Sequence, residues 1–363
     1  VDLELDETQS IFRDTMRELL EREVPFARVR ECERAQRADE ALWKKLREQG
    51  CLGIACPEDL GGGGAGLLEA GILAEEVERR AALVPVAETL GCVDTILRFV
   101  EGARREELVR AVLSGGATPV PAVLEADDRL GSIAAEVDAK GGLRGEKRFV
   151  DYGAFATHHL VSARSGTQVG LYLVETSDPA VTTCPLRSIG RVPQSIVRYD
   201  GVRAEPLCGA DALASLVRTM RALVAVQAVS CMQVALEKTV AYTSVREQFG
   251  RPIGTFQAVQ QHAANMAIEL ESARFLAYEA LDALARGTAT SEQVAIAKAA
   301  ASQSVPEVTM LAHQLHGGQG YIEENDLYFF TLRGKHRSLA WGTVEECLAL
   351  LGDTIARRRT DWL

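Results

Sequence analysis

The chain has 363 residues, 47% hydrophobic and 25% charged, enough for two or three domain-sized units with real cores. Its formal net charge is −11, which disfavours nucleic acid and anionic membrane surfaces as partners, since both require a basic face. No run of membrane-span length stands out, and "VDLELDETQS" lacks the layout of a signal peptide, so a cytoplasmic protein is expected. Residues 1–118 carry helical patterning. In "ETQSIFRDTMRELLEREV", Ile11, Met16, Leu19 and Leu20 recur at helical spacing among charges, and "ADEALWKKLREQG" repeats the signal and stops at Gly50. Pro57 and Gly61 to Gly64 keep "CLGIACPEDLGGGGAG" out of regular structure, and "LLEAGILAEEVERRAALVP" returns to helix.

Near residue 119 the texture changes. "GATPVPAVLEA", "GLRGEKRFVDYG", "HHLVSARSG", "QVGLYLVET" and "SIVRYDGV" are short apolar or alternating runs between turn residues, which predicts a β domain over 119–206, with "TSDPAVTTCP" as a connection. Residues 207–363 are helical again. "LASLVRTMRALVAVQAVSCMQVALEKTVAYTSV" is apolar on most faces, as a helix packed inside other elements must be. Another long helix is predicted from near Thr255, followed by "SEQVAIAKAAASQSVPEVTMLAHQLHG". Helices, then strands, then helices define an α+β chain. The eight cysteines are scattered without a C-x-x-C pair, and no H-E-x-x-H occurs; reduced thiols are expected and no metal site.

Four stretches, in order, resemble the acyl-CoA dehydrogenase family of flavoproteins. They are "LWKKLREQGCLGIACPEDLGGGGAG", "GEKRFVDYG", "VREQFGRPIGTFQAVQQHAANM" and "QLHGGQGYIEENDLYFFTLRGKHRSLAWGTVEE". The resemblance implies an N-terminal helical domain, a middle β-barrel-like domain and a C-terminal four-helix bundle, with FAD as cofactor. It also implies that Arg246 and Gln248 reach across an interface to a neighbour's flavin, with Phe249, Phe256 and Gln257 at the following contact points. Gln314, Gly317 and Gly318 would lie by the adenosine and pyrophosphate of the same neighbour, while Thr343 and Glu345 would touch the cofactor within one subunit. The residue types suit these roles. A buried pyrophosphate needs charge-assisted donors, and paired glycines let backbone N–H groups approach an anion.

The departures are as informative. The family removes the α-proton of an acyl-CoA thioester with a carboxylate while the flavin takes the β-hydride. The usual glutamate, just before Gly-Thr, is Trp341 here, and the alternative position on the long helix is Met220. Neither accepts a proton, so this chain is expected to hold no catalytic residue. "AVLEADDRLGS" stands where a glycine-rich flavin loop is usual, and in "RTMR" Arg221 fits the acyl-CoA-holding pattern while Arg218 replaces its acid. A heteromeric enzyme, α2β2, is the expectation. A second acyl-CoA dehydrogenase subunit would carry the base and bind most of the acyl-CoA, a steroid side-chain thioester by resemblance, and an electron-transfer flavoprotein would accept the electrons. The alternatives are a homomeric flavoenzyme with a different base or reaction, and a non-catalytic scaffold.

Overall fold

The computed structural model describes residues 5–360, with side chains described as far as Arg357. The chain packs as two compact units: a β unit of Arg22–Leu73 and Ala82–Met220, and a bundle unit of Val1–Glu21, Ala74–Ala81 and Arg221–Leu363.

In the β unit, helices α2 (Phe26–Ala35), α3 (Glu40–Glu48), α5 (Val86–Phe99) and α6 (Gly102–Ser114) precede the strands. α3 starts where Asp39 accepts a hydrogen bond from Leu42 N, a side-chain N-cap. The glycine run is glycine because the loop folds onto itself: a Cβ on Gly62 would sit 2.2 Å from the Cys56 carbonyl oxygen. The strands are β1 (Pro119–Ala122), β2 (Glu136–Val137), β3 (Gly142–Asp151), β4 (His158–Ser165), β5 (Gln168–Glu175), β6 (Val181–Arg187), β7 (Pro193–Arg203) and β8 (Glu205–Gly209). They form one mixed sheet in the order β6-β7-β3-β2-β4-β5-β8, with β1 parallel to β4. The connection expected in "TSDPAVTTCP" is only partly a connection. Val181–Arg187 is a strand on the edge of the sheet, paired with β7 through Val181↔Tyr199 to Arg187↔Pro193, and its mixed polarity hid it. β4 and β5 pair through Ser165↔Gln168, so Gly166 at φ +61° opens a two-residue turn.

Val120, Leu143, Val150, Val161, Val174, Val197 and Val202 form the apolar core of this sheet. Inside it lies an ion pair. Lys147, fully buried, donates to Glu125 Oε1 at 2.6 Å, Ser162 Oγ at 2.9 Å and the Val123 carbonyl at 3.2 Å. Glu125 also accepts from the N–H groups of Ala134 at 2.8 Å and Ala135 at 3.1 Å. Desolvation lowers the Lys147 pKa against the pull of Glu125. The "LEADDRLGS" stretch is therefore a loop drawn shut by its first carboxylate.

The bundle unit takes α1 (Glu7–Glu23) up to Glu21, the end of α4 (Leu67–Arg79) and α7 (Ala210–Val245) from Arg221. α8 (Gln257–Ala285), α9 (Ser291–His316), α10 (Leu327–Leu339) and α11 (Val344–Thr360) complete it. α7 is, by length and composition, apolar enough to cross a membrane, but 83% of its most apolar stretch is buried inside the protein, so its apolar character is that of a core helix. α4 brings buried charges into the bundle beside the apolar Ala74 and Val77. Glu75 accepts from Arg274 at 2.9 Å and from Tyr278, Glu76 from Arg17 at 2.6 Å, and Glu78 from Arg337 at 3.0 Å, the last pair only 2% exposed on both sides. α9 begins with a capping box between Thr290 and Gln293. The eight cysteines are free; Cys184 and Cys208 are partly exposed and the others buried.

Candidate functional site

α7 ends at Val245 and the chain turns through a short hairpin, β9 (Glu247–Gln248) paired with β10 (Arg251–Pro252). Phe249 at φ +56° and Gly250 at φ +78° form its two-residue loop, the left-handed pair of a type I′ turn. This places Phe249 at the tip, 92% exposed. Behind it, the Phe256 ring meets Phe249 edge-on at 6.0 Å and carries the Arg251 guanidinium 4.2 Å from its centroid. Gln257 opens α8. The hairpin is pressed back on α7 through Gly254, whose missing Cβ would sit 3.1 Å from the Thr243 carbonyl oxygen. Arg246 and Gln248 are exposed, and no carboxylate among the described residues pairs with Arg246.

The second segment begins where α9 stops. Gly317, at φ +58° and ψ −138°, takes a backbone conformation open only to glycine and starts a tight turn, Gly317–Tyr321. No heavy atom lies within 4 Å of where a Cβ would sit on Gly317 or Gly318, so both present bare backbone outward. Gln314 is exposed beside them. Two histidines hold this end together. His316 donates from Nδ1 to the Ala312 carbonyl at 2.8 Å and stacks on Tyr242, with centroids 4.5 Å apart and planes at 18°. That stack joins the end of α9 to the end of α7. His313 meets the Gly320 carbonyl through Nδ1 at 2.8 Å and Thr331 Oγ1 through Nε2 at 2.7 Å. Burial lowers the pKa of both rings.

Arg246, Gln248, Phe249, Phe256, Gln257, Gln314, Gly317 and Gly318 thus gather at one end of the bundle unit. Thr343 and Glu345 do not join them. α11 packs through Cys347 on Ala295 and Ala299, near the start of α9. From Ala299 to Gln314 that helix rises roughly 22 Å. Thr343 is the N-cap of α11: its hydroxyl accepts from Glu346 N at 3.3 Å, while Glu346 Oε2 accepts from Thr343 N at 3.0 Å. Glu345 is exposed, and the backbone N–H at its own position and the Thr343 hydroxyl hold its carboxyl below the usual range.

The two base positions contain no acid and are built as packing. Trp341 sits half-buried at φ +61°, its carbonyl accepting from Arg221 Nε at 2.9 Å. Arg221 is only 7% exposed, so it ties this turn down rather than facing solvent. Gly342 follows at φ +109°, where a Cβ would meet Arg221 Nη2 at 2.9 Å. Below the turn, the buried Lys298 donates to Ser302 Oγ at 2.6 Å and to the Ser338 carbonyl at 3.1 Å, and desolvation lowers its pKa to about 7. Met220 is fully buried, its Sδ 2.4 Å from where a Cβ on Gly91 of α5 would stand. A glycine is what lets α5 and α7 close at that point. Sequence patterning does not single out His313, His316, Tyr242 or Lys298. Burial and pairing, which no short motif reports, mark them.

A dianionic pyrophosphate fits the end holding Arg246, Gln248, Gln314 and the two bare glycines: a cation without a carboxylate partner, two amides and open backbone face outward together. Residues 6–116 match the acyl-CoA dehydrogenase N-terminal domain and residues 209–358 the C-terminal domain. The chain is 32% identical to the probable acyl-CoA dehydrogenase FadE25 of Mycobacterium tuberculosis over 363 residues, 93% of each chain. Among solved structures it resembles a variant of the Tcur3481-Tcur3483 steroid ACAD, with TM-score 0.91, 31% identity and 98% and 99% of the two chains covered. It is similar also to the ChsE4-ChsE5 complex from Mycobacterium tuberculosis, with TM-score 0.91, 25% identity and the same coverage. The chain belongs to the acyl-CoA dehydrogenase family, oxidoreductases that use FAD.

Proposed function

We propose that this chain is the base-lacking subunit of a heteromeric acyl-CoA dehydrogenase, α2β2, that completes the FAD site of an unlike partner chain. The observation that carries the reading is the division of the predicted contacts. Arg246, Gln248, Gln314, Gly317 and Gly318 face outward at one end of the bundle unit, while both positions for a base hold apolar side chains. Support also comes from the structural relatives, the Tcur3481-Tcur3483 steroid ACAD and the ChsE4-ChsE5 complex, each made of two proteins.

When bound, FAD supplies the hydride acceptor of α,β-dehydrogenation. Arg246 donates to the pyrophosphate and offsets its charge. The N–H groups of Gly317 and Gly318 add uncharged donors that only a side-chain-free backbone brings close. Phe249 and Phe256, braced by Arg251, exclude water from the join. The partner supplies the carboxylate and most of the acyl-CoA pocket, a steroid side-chain thioester is the substrate, and an electron-transfer flavoprotein takes the electrons.

The test is the flavin count. Expressed alone, the chain is expected to be colourless and inactive; purified with its partner it should carry about one FAD for each pair of unlike chains. A yellow, active homomer of this chain overturns the reading.

A further inference from the structure

We infer that His313 is a positioning residue for the Gly317–Tyr321 turn, fixing the shape in which its two bare glycines meet an anionic ligand. This rests on the reading above, in which that ligand is the nucleotide part of FAD. The turn has one open side and one closed side. Gly317 and Gly318 are open, and the closed side lies on the imidazole. Gly320 is buried, and a Cβ on it would stand 3.1 Å from both His313 Nδ1 and the His313 carbonyl oxygen. A side chain at 320 would press on both the ring and the backbone of His313, so glycine is what lets the turn lie directly on this residue.

The hydrogen bonds set the ring's state. The Gly320 carbonyl can only accept, so Nδ1 carries the proton and Nε2 accepts from Thr331 Oγ1. One uncharged ring thus ties the turn to α10. The ring is 7% exposed, and burial lowers its pKa, which keeps it in the neutral form those two bonds require. Tyr321, 5.4 Å away and tilted by 32°, covers its face. A second tie, Asn325 Nδ2 to the Gln319 carbonyl at 3.0 Å, holds the neighbouring peptide from solvent and does not reach Gly320. A histidine retained for volume alone would not need both nitrogens engaged by different elements.

The test compares His313→Asn with His313→Leu in the full assembly of this chain and its partner. Asn keeps a donor near the Nδ1 position; Leu keeps volume and loses the donor. FAD affinity is read by flavin fluorescence, and amide hydrogen exchange of residues 317–321 is read on the chain without added FAD. His313→Leu should weaken FAD roughly tenfold and speed exchange in the turn, as expected for a lost hydrogen bond at a buried carbonyl. His313→Asn should recover affinity to within about threefold. If Leu retains FAD as well as or better than Asn, with unchanged exchange, the ring is packing only and the inference fails. Thr331→Val, nearly isosteric, guards against a misfolded His313 variant; it should loosen FAD about threefold, and no change in either readout counts against the assignment. Arg246→Ala separates the two readings. If it leaves FAD unchanged, the nucleotide reading falls, and the exchange data still decide whether His313 shapes the turn.

Discussion

Replacing Arg246 with alanine removes a full positive charge that the α7 end offers to an anion, one that no carboxylate among the described residues pairs with. In the free chain the side chain is exposed, so its loss should barely change stability. In the assembly it would be desolvated against a pyrophosphate, where a charge-assisted hydrogen bond contributes roughly 1.5–3 kcal/mol. At 1.4 kcal/mol per decade, FAD should bind about 10- to 150-fold more weakly. Equilibrium dialysis of the co-purified complex, with flavin counted by absorbance, reads this directly. Arg246→Lys should recover part of the loss, because it keeps the charge without the guanidinium fork. A change below about threefold in the alanine variant, or an equal loss of thermal stability without flavin, would show that Arg246 does not meet the pyrophosphate.

Trp341→Glu is expected to produce no turnover in the chain alone and none beyond the parent's in the assembly, because the 341 backbone is held at φ +61° by Arg221 and Met220 fills the alternative position; stopped-flow flavin reduction by the variant chain without its partner would show an otherwise competent pocket. Arg337→Leu leaves the buried Glu78 with neutral donors such as Gln227 Nε2 but without the Arg337 charge, and with both side chains 2% exposed the cost should be about 3–5 kcal/mol in urea unfolding, largely recovered when Glu78→Gln is added. Lys298 gives a pH signature. Its pKa falls from 10.5 to about 7 on folding, so the unfolded chain binds more protons between those values. Its cost to stability is full below about pH 7 and is relieved as pH rises towards 10.5, a span of up to ~5 kcal/mol. Lys298→Met should therefore gain stability over the parent at pH 6 and keep only about a third of that advantage at pH 9.5, read as the difference in urea midpoints; a pH-independent difference would refute it.

Much of the fold is legible because its patterns are local. The alternation in "HHLVSARSG" and "QVGLYLVET" predicts β4 and β5, and the all-round apolar character of "VRTMRALVAVQAVSCM" predicts the buried core of α7. β6 escaped because it is an edge strand with no fully buried residue, so neither face carries an apolar stripe to reveal it. The segments around Phe249 and Gly317 were legible through their family resemblance, while the hairpin that puts Phe249 at its tip was not. What the ends share was not. The Tyr242–His316 stack joins segments separated by seventy-odd positions, and His313 looks like any core histidine until its two hydrogen-bond partners are known. The sequence predicts a helix through Glu75, Glu76 and Glu78 but not their burial, which the arginines of α1, α8 and α10 account for.

The Glu125 staple reaches beyond the flavin question. By gripping the amides of Ala134 and Ala135 it fixes both margins of the segment between them, whose residues Ala126 to Arg129 are exposed. Closure is thereby prepaid, and lengthening such a bight adds only about 0.6 kcal/mol per doubling. That makes this spot a natural graft point for an epitope or reporter peptide, and a place where sister lineages are free to differ in length while the strands beneath stay fixed.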